Sequence, residues 1–120
     1  MSTELIDIAK IPIYNQDLEQ NPPQEWVEFR KKVKKVDALL FLTPEYNRSV
    51  PAVLKNALDV GSRPPGKNCW NAKPAAIVSV SAGNISGFGA NHHFSQSLTF
   101  FKCASDGSTR SLYRQCCRFI

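Results

Sequence analysis

The sequence predicts an α/β domain on a parallel sheet, and three observations predict it. Two short, nearly continuous apolar runs, Asp37 to Thr43 (DALLFLT) and Ala75 to Ser81 (AAIVSVS), have the composition of strands buried on both faces. Segments with apolar residues at helical spacing precede, separate and follow them. The resulting order of helix, strand, loop, helix, loop, strand, loop, helix is an α/β rhythm with a parallel sheet.

Taken in order, Glu4 to Ile8 (ELIDI) alternates and reads as a short strand, and Ala9 to Pro23 as a loop punctuated by Pro12, Pro22 and Pro23. Gln24 to Val36 reads as a helix, with Trp26, Phe29, Val33 and Val36 at spacings of three and four and Pro23 suited to its start. Lys31, Lys32, Lys34 and Lys35 form its solvated outer face, in the last turn where the helix dipole favours cations. Pro44 ends the first strand. Val50 to Val60 reads as a second helix, with Pro51 in its first turn and Val53, Leu54, Ala57 and Leu58 on one face; Gly61 is the expected C-cap. Arg63 to Lys73 is a Pro/Gly/Asn loop, Ala82 to Gly89 a glycine-rich loop, and Ala90 to Phe101 a third helix.

At 120 residues the chain is at most one domain, and 42% hydrophobic with 21% charged residues is an ordinary globular balance. No apolar run reaches the roughly 18 residues of a membrane span, and MSTELIDIAK lacks the basic-then-apolar build of a signal peptide. No membrane partner is expected, and the expected location is the cytoplasm. The net charge of +5 and the four cysteines raise nucleic-acid and metal readings. Both signals concentrate in the tail: Lys102, Arg110, Arg114 and Arg118 against Asp106 give +3 of the +5, and Cys103, Cys116 and Cys117 lie there too. No nucleic-acid partner and no metal are therefore expected. His92 and His93 are adjacent on a helix, point in different directions and lack companions at metal spacing. Cys69 reads as a plain thiol.

Ligands of open α/β sheets sit beyond the carboxyl ends of the strands. Two loops occupy that position, TPEYNRSVP (Thr43 to Pro51) and SAGNISGFG (Ser81 to Gly89). A planar ligand there needs closely approaching backbone, which Gly83, Gly87 and Gly89 permit, and donors such as loop amides or Asn47. The stretch PEYNRSVPAVLKNALDVGSRP resembles the signature of the NAD(P)H-dependent FMN reductases, the flavodoxin-like group that includes quinone, azo-dye and chromate reductases. Pro44, Glu45, Tyr46, Asn47, Ser49, Pro51, Leu54, Lys55, Asn56, Ala57 and Asp59 match its pattern. Upstream, IPIYNQDLE (Ile11 to Glu19) resembles the family's loop after the second strand, and GNISGFGANHHFSQSL (Gly83 to Leu98) its loop and helix after the fourth.

The resemblance implies a flavodoxin-like doubly wound parallel sheet with FMN as cofactor and NAD(P)H as co-substrate. Pro44, Glu45, Tyr46 and Asn47 would line the isoalloxazine ring, with Ser81, Gly83, Gly87, Phe88 and Gly89 approaching its other edge. NAD(P)H would deliver hydride to the flavin, and a small-molecule acceptor (a quinone, an azo compound or free flavin) would take the electrons; the protein positions the ring and tunes it. No acid or base is nominated. A homodimer or homotetramer is implied, because the family's flavin site borders a subunit interface; Glu45 reads equally as a surface acid or a contact with that partner.

Against the family pattern, residues 1–101 read as a partial domain whose first strand and phosphate loop, expected before Glu4, are missing. Residues 102–120 read as an out-of-frame tail. Phe100 to Ile120 can be written in legitimate codons that, read one base later, give FLNVPAMDQPEAYIGNVADL, which resembles the family's continuation through its fifth strand. A single extra T in a run of T near Phe100 produces this. The alternative to an active reductase is thus a non-catalytic, truncated remnant without FMN.

Overall fold

Helical periodicity is realised first over Gln24–Lys35 (α1), which buries Trp26, Phe29 and Val33 and leaves its helical path at Val36, where the backbone is extended. The structure is a computed structural model and describes residues 2–102. The reading-frame change expected after about Phe100 concerns a tail that, from residue 103 on, lies outside the described residues. By internal contacts the chain divides into two units. One comprises the segments up to Val36 and Ala52–Trp70, the other Asp37–Pro51 and the described residues from Asn71 on.

In the first unit, α1 packs on α2 (Ala52–Ser62), whose Leu54, Ala57, Leu58 and Val60 are buried. Trp70 completes this core: its ring meets Phe29 edge-on at 5.9 Å and its indole N–H donates to Leu58 O at 3.0 Å. Each such fully buried apolar side chain contributes about 1.5–3 kcal/mol of transfer free energy. Gly61 is not the expected C-cap. It lies inside the last turn of α2, where a Cβ would come within 3.0 Å of three atoms of the Trp70 indole. A short 3-10 turn, Gln16–Leu18, is capped by Asn15, whose side chain accepts from Asp17 N–H. Glu4 to Ile8, expected as a strand, has no ladder partner among the described residues, and Leu5 is exposed. A strand needs a neighbour to take up its backbone groups, which alternation alone does not supply.

In the second unit, β1 (Leu39–Pro44) and β2 (Ala75–Val80) pair in parallel, in register from Leu39 opposite Ala75 to Pro44 opposite Val80. Helix α3 (Phe88–Phe100) packs on β2, and its Phe94 meets Phe41 edge-on at 4.6 Å. The sheet is not buried on both faces as its composition predicts. Thr43, Ile77 and Ser79 point to the covered face, while Leu40 and Leu42 on the other are 64% and 69% exposed. The alternation of side chains across a strand makes this all-or-none for each face, and α3 covers only one. Among the described residues no helix is long and apolar enough to cross a membrane.

Candidate functional site

Parallel pairing brings the carboxyl ends of β1 and β2 side by side, so the loops that follow emerge together. Glu45 N–H donates to Val80 O at 3.2 Å, holding the first loop against the end of the second strand. Tyr46 and Ser49 then exchange both backbone hydrogen bonds, each 2.9 Å long. The two residues between them, Asn47 and Arg48, have φ of +50° and +63°, which makes this a tight turn of the mirror-image type found in two-residue hairpins. Asparagine tolerates that conformation; a left-handed Arg48 costs about 1–2 kcal/mol. Asn47 is exposed at the tip, and Tyr46 is 59% exposed beside it.

The second loop folds tightly on itself, with Ser86 N–H donating to Gly83 O at 2.8 Å. Gly87 lies directly over β2: Ser79 Oγ donates to its carbonyl at 2.9 Å, and a Cβ on Gly87 would fall 2.6 Å from Ser79 Cβ. A Cβ on Gly89 would fall 2.8 Å from Arg48 O. The close approaches at Gly87 and Gly89 are thus met within the protein. Gly83 differs, since a Cβ there would meet only Ser81 Oγ, at 3.9 Å. Ser86 is 6% exposed, has a φ of +49°, and its hydroxyl has no hydrogen-bond partner among the described residues. Phe88 and Gly89, expected in the loop, form the first turn of α3 instead.

That first turn is capped from the other loop. The Glu45 side chain is only 5% exposed; Ala90 N–H donates to its Oε2 at 3.1 Å and Arg48 Nη1 to its Oε1 at 2.9 Å. A carboxylate at a helix N-terminus satisfies amides that have no partner within the helix and complements its dipole. Burial pushes the Glu45 carboxyl up, but the N–H groups of Ala90 and Gly89 together with Arg48 outweigh it and hold the group below its ordinary value. Because the folded value is lowered, the contact is complete above about pH 4.3, the value of an unperturbed glutamate, and is lost as pH falls through the folded value. The transition in the Gly89 and Ala90 amide resonances should therefore be centred below about pH 4.3; one centred above it would contradict this geometry. Further along α3, His93 Nδ1 lies 2.6 Å from Ser49 Oγ, while His92 stacks on Phe88 with a centroid separation of 5.9 Å. Among the described residues no group of three or more His, Cys, Asp or Glu is placed to hold a metal ion.

A family model described as NADPH-dependent FMN reductase matches residues 1–110. The chain belongs to that family. It is 54% identical over 101 residues to a quinone reductase of Pseudomonas putida, covering 83% of this chain and 54% of the relative. It is 46% identical over 84 residues to a 2-hydroxy-1,4-benzoquinone reductase of a Burkholderia species, covering 70% of this chain and 46% of that one. Among solved structures, the flavoenzyme NAD(P)H:(acceptor) oxidoreductase FerB of Paracoccus denitrificans matches with a TM-score of 0.85 and 35% identity, over 93% of this chain and 61% of that one. The chain spans about half the length of the curated relatives it matches. The α/β fold with parallel strands is that of this flavodoxin-like family.

The family signature divides between the two units. Within the second unit the structure brings Pro44, Glu45, Tyr46 and Asn47 to the same sheet edge as Ser81, Gly83, Gly87, Phe88 and Gly89. Asn56 of the LKNA segment belongs to the first unit, where it fastens the Ile11–Tyr14 loop: it donates to Ile11 O and Pro12 O, both at 3.1 Å, and accepts from Tyr14 N–H at 2.8 Å. Trp26 Nε1 also donates to Pro12 O, at 2.8 Å. Glu19 accepts from both Tyr14 and Arg63, and these bonds, that to Arg63 foremost, hold its carboxyl below the ordinary range. Reading the sequence missed Ser86, because a serine inside a glycine loop shows neither its left-handed backbone nor its unpartnered hydroxyl.

Proposed function

We propose that the chain carries the ring-holding part of an FMN-dependent NAD(P)H oxidoreductase that reduces a quinone-type acceptor. The observation that carries the reading is the edge formed by the loops 45–51 and 81–87 and the first turn of α3, which offers exposed Tyr46, Ile85 and Phe88 and open space at Gly83. These residues fit a flat heteroaromatic ring: apolar side chains for its faces, and backbone amides for its polar rim. Pro44, Tyr46, Asn47 and the backbone at Glu45 would flank it on one side, and Ser81, Gly83, Gly87, Phe88 and Gly89 on the other.

The flavin, when bound, supplies the exchange of a hydride with NAD(P)H and of the same two electrons with the acceptor. The protein's share is to orient the ring and to present the exposed Tyr46 and Phe88 to a second flat molecule. Relatives named as quinone reductases favour a quinone over an azo compound or free flavin as acceptor. A cytoplasmic location and a homodimer or homotetramer belong to the same reading.

Purifying the 120-residue chain and recording its visible absorbance, alone and with added FMN, tests this. A retained flavin band, bleached by NAD(P)H and restored by a quinone, is expected. A colourless protein that does not quench FMN fluorescence refutes the reading and supports the non-catalytic remnant. The exposed apolar sheet face carrying Leu40 and Leu42 is the observation favouring that second reading. Sequencing the gene over the codons of residues 95–120 decides the proposed frame change: bases that cannot be re-framed into the family continuation refute it.

A further inference from the structure

We propose that Glu45 is a positioning residue of this site and not a ring contact: its carboxylate fastens the Pro44–Asn47 corner to the first turn of α3 and so fixes the backbone groups that would face the flavin. The proposal rests on the flavin reading given above. Three observations carry it.

The first is that both carboxylate oxygens are engaged, Oε1 by Arg48 and Oε2 by Ala90 N–H, on a side chain that is 5% exposed. An ionised carboxylate is an acceptor only, so in this state Glu45 has nothing to donate to the carbonyl oxygens of a flavin ring. Secondly, the geometry is built around the contact. A Cβ on Gly89 would fall 3.0 Å from Glu45 Oε2, so a side chain there would push the carboxylate off the helix. Thirdly, the corner is held from every side. Glu45 N–H is tied to Val80 O, the Tyr46–Ser49 turn is closed by two backbone hydrogen bonds, and Ser49 reaches His93 on the same helix. Tyr46, exposed beside Glu45, then has its position set by a group that touches no ligand.

The test uses the 120-residue chain and its Glu45→Gln and Glu45→Ala variants, with Lys55→Ala, a substitution in an exposed pair with Asp59, as control. Three quantities are measured: the FMN dissociation constant, the shape of the bound-flavin visible band, and the amide resonances of Gly89 and Ala90. Loss of preorganisation predicts FMN binding weaker by about tenfold in both Glu45 variants, with a changed band and shifted amides. Lys55→Ala should match the parent chain in all three. Should Glu45→Ala not fold, Glu45→Gln, which keeps the size and one acceptor oxygen, carries the test. If the parent chain binds FMN and the Glu45 variants bind it equally well with an unchanged band, the positioning role is refuted and the flavin reading stands. If the parent chain binds no FMN, the flavin reading fails and this proposal fails with it.

Discussion

Gly87→Ala is expected to lower the stability of the strand–helix unit by about 3 kcal/mol and, on the proposed flavin reading, to remove FMN binding with it. The added Cβ would sit 2.6 Å from Ser79 Cβ and Oγ and 2.8 Å from the Ser79 backbone carbon. A flexible side chain could swing away, but a strand backbone cannot, and Ser79 is fully buried in β2. The loop must therefore lift, which breaks the bond from Ser79 Oγ to Gly87 O and tilts the start of α3. Gly83→Ala is the internal control, because its Cβ meets nothing closer than 3.9 Å. Urea unfolding followed by far-ultraviolet circular dichroism should show a clearly lower midpoint for the alanine at position 87 and a nearly unchanged one at position 83. Equal midpoints would show that the contact between Gly87 and Ser79 is not tight.

Trp70→Ala should be the most damaging single truncation in the other unit, costing about 3–5 kcal/mol. The ring is 2% exposed, packs edge-on against Phe29 and uses its only polar atom on Leu58 O. Removing it leaves a cavity over α2 and takes away the indole's hydrogen bond to that carbonyl. Gly61 supplies the sharper part of the prediction. Alone, Gly61→Ala drives a methyl group into the indole and should destabilise by about 1–3 kcal/mol. In the Trp70→Ala background the same methyl group enters empty space, so the double variant should be more stable than the two single costs added together. Additive costs, read from the same urea curves, would show that Gly61 is not shaped by Trp70.

Within the described residues, the sequence was most legible where the signal is local. Trp26, Phe29 and Val33 recur with the period of a helix, and those residues are the buried face of α1. The runs at Leu39–Pro44 and Ala75–Val80 are strands, and each helix lies where periodicity placed it, to within about two residues at its ends. Because each of the two loops directly follows a strand, the sequence places both at the carboxyl end of a parallel sheet, and the pairing of β1 with β2 puts them there. Where the reading went astray, the deciding partner was far away in the chain. Composition made β1 a strand buried on both faces, yet whether Leu40 and Leu42 are covered depends on what packs above them. Glu4 to Ile8 alternates like a strand, but pairing requires another strand and the alternation contains none.

By itself, then, the sequence determined the α/β order, the amphipathic faces and the family, because these rest on spacing within a dozen residues and on the PEYN, LKNA and glycine-loop motifs. Tertiary structure alone decided what individual motif residues do. Gly61, Gly87 and Gly89 are glycines because Trp70, Ser79 and Arg48 occupy the space a side chain would need. Asn56 holds a loop 42 residues earlier in the chain, and Glu45 caps a helix 45 residues later. Close packing and the pairing of buried polar groups act between neighbours in space, and residue identities along the chain do not state who those neighbours are.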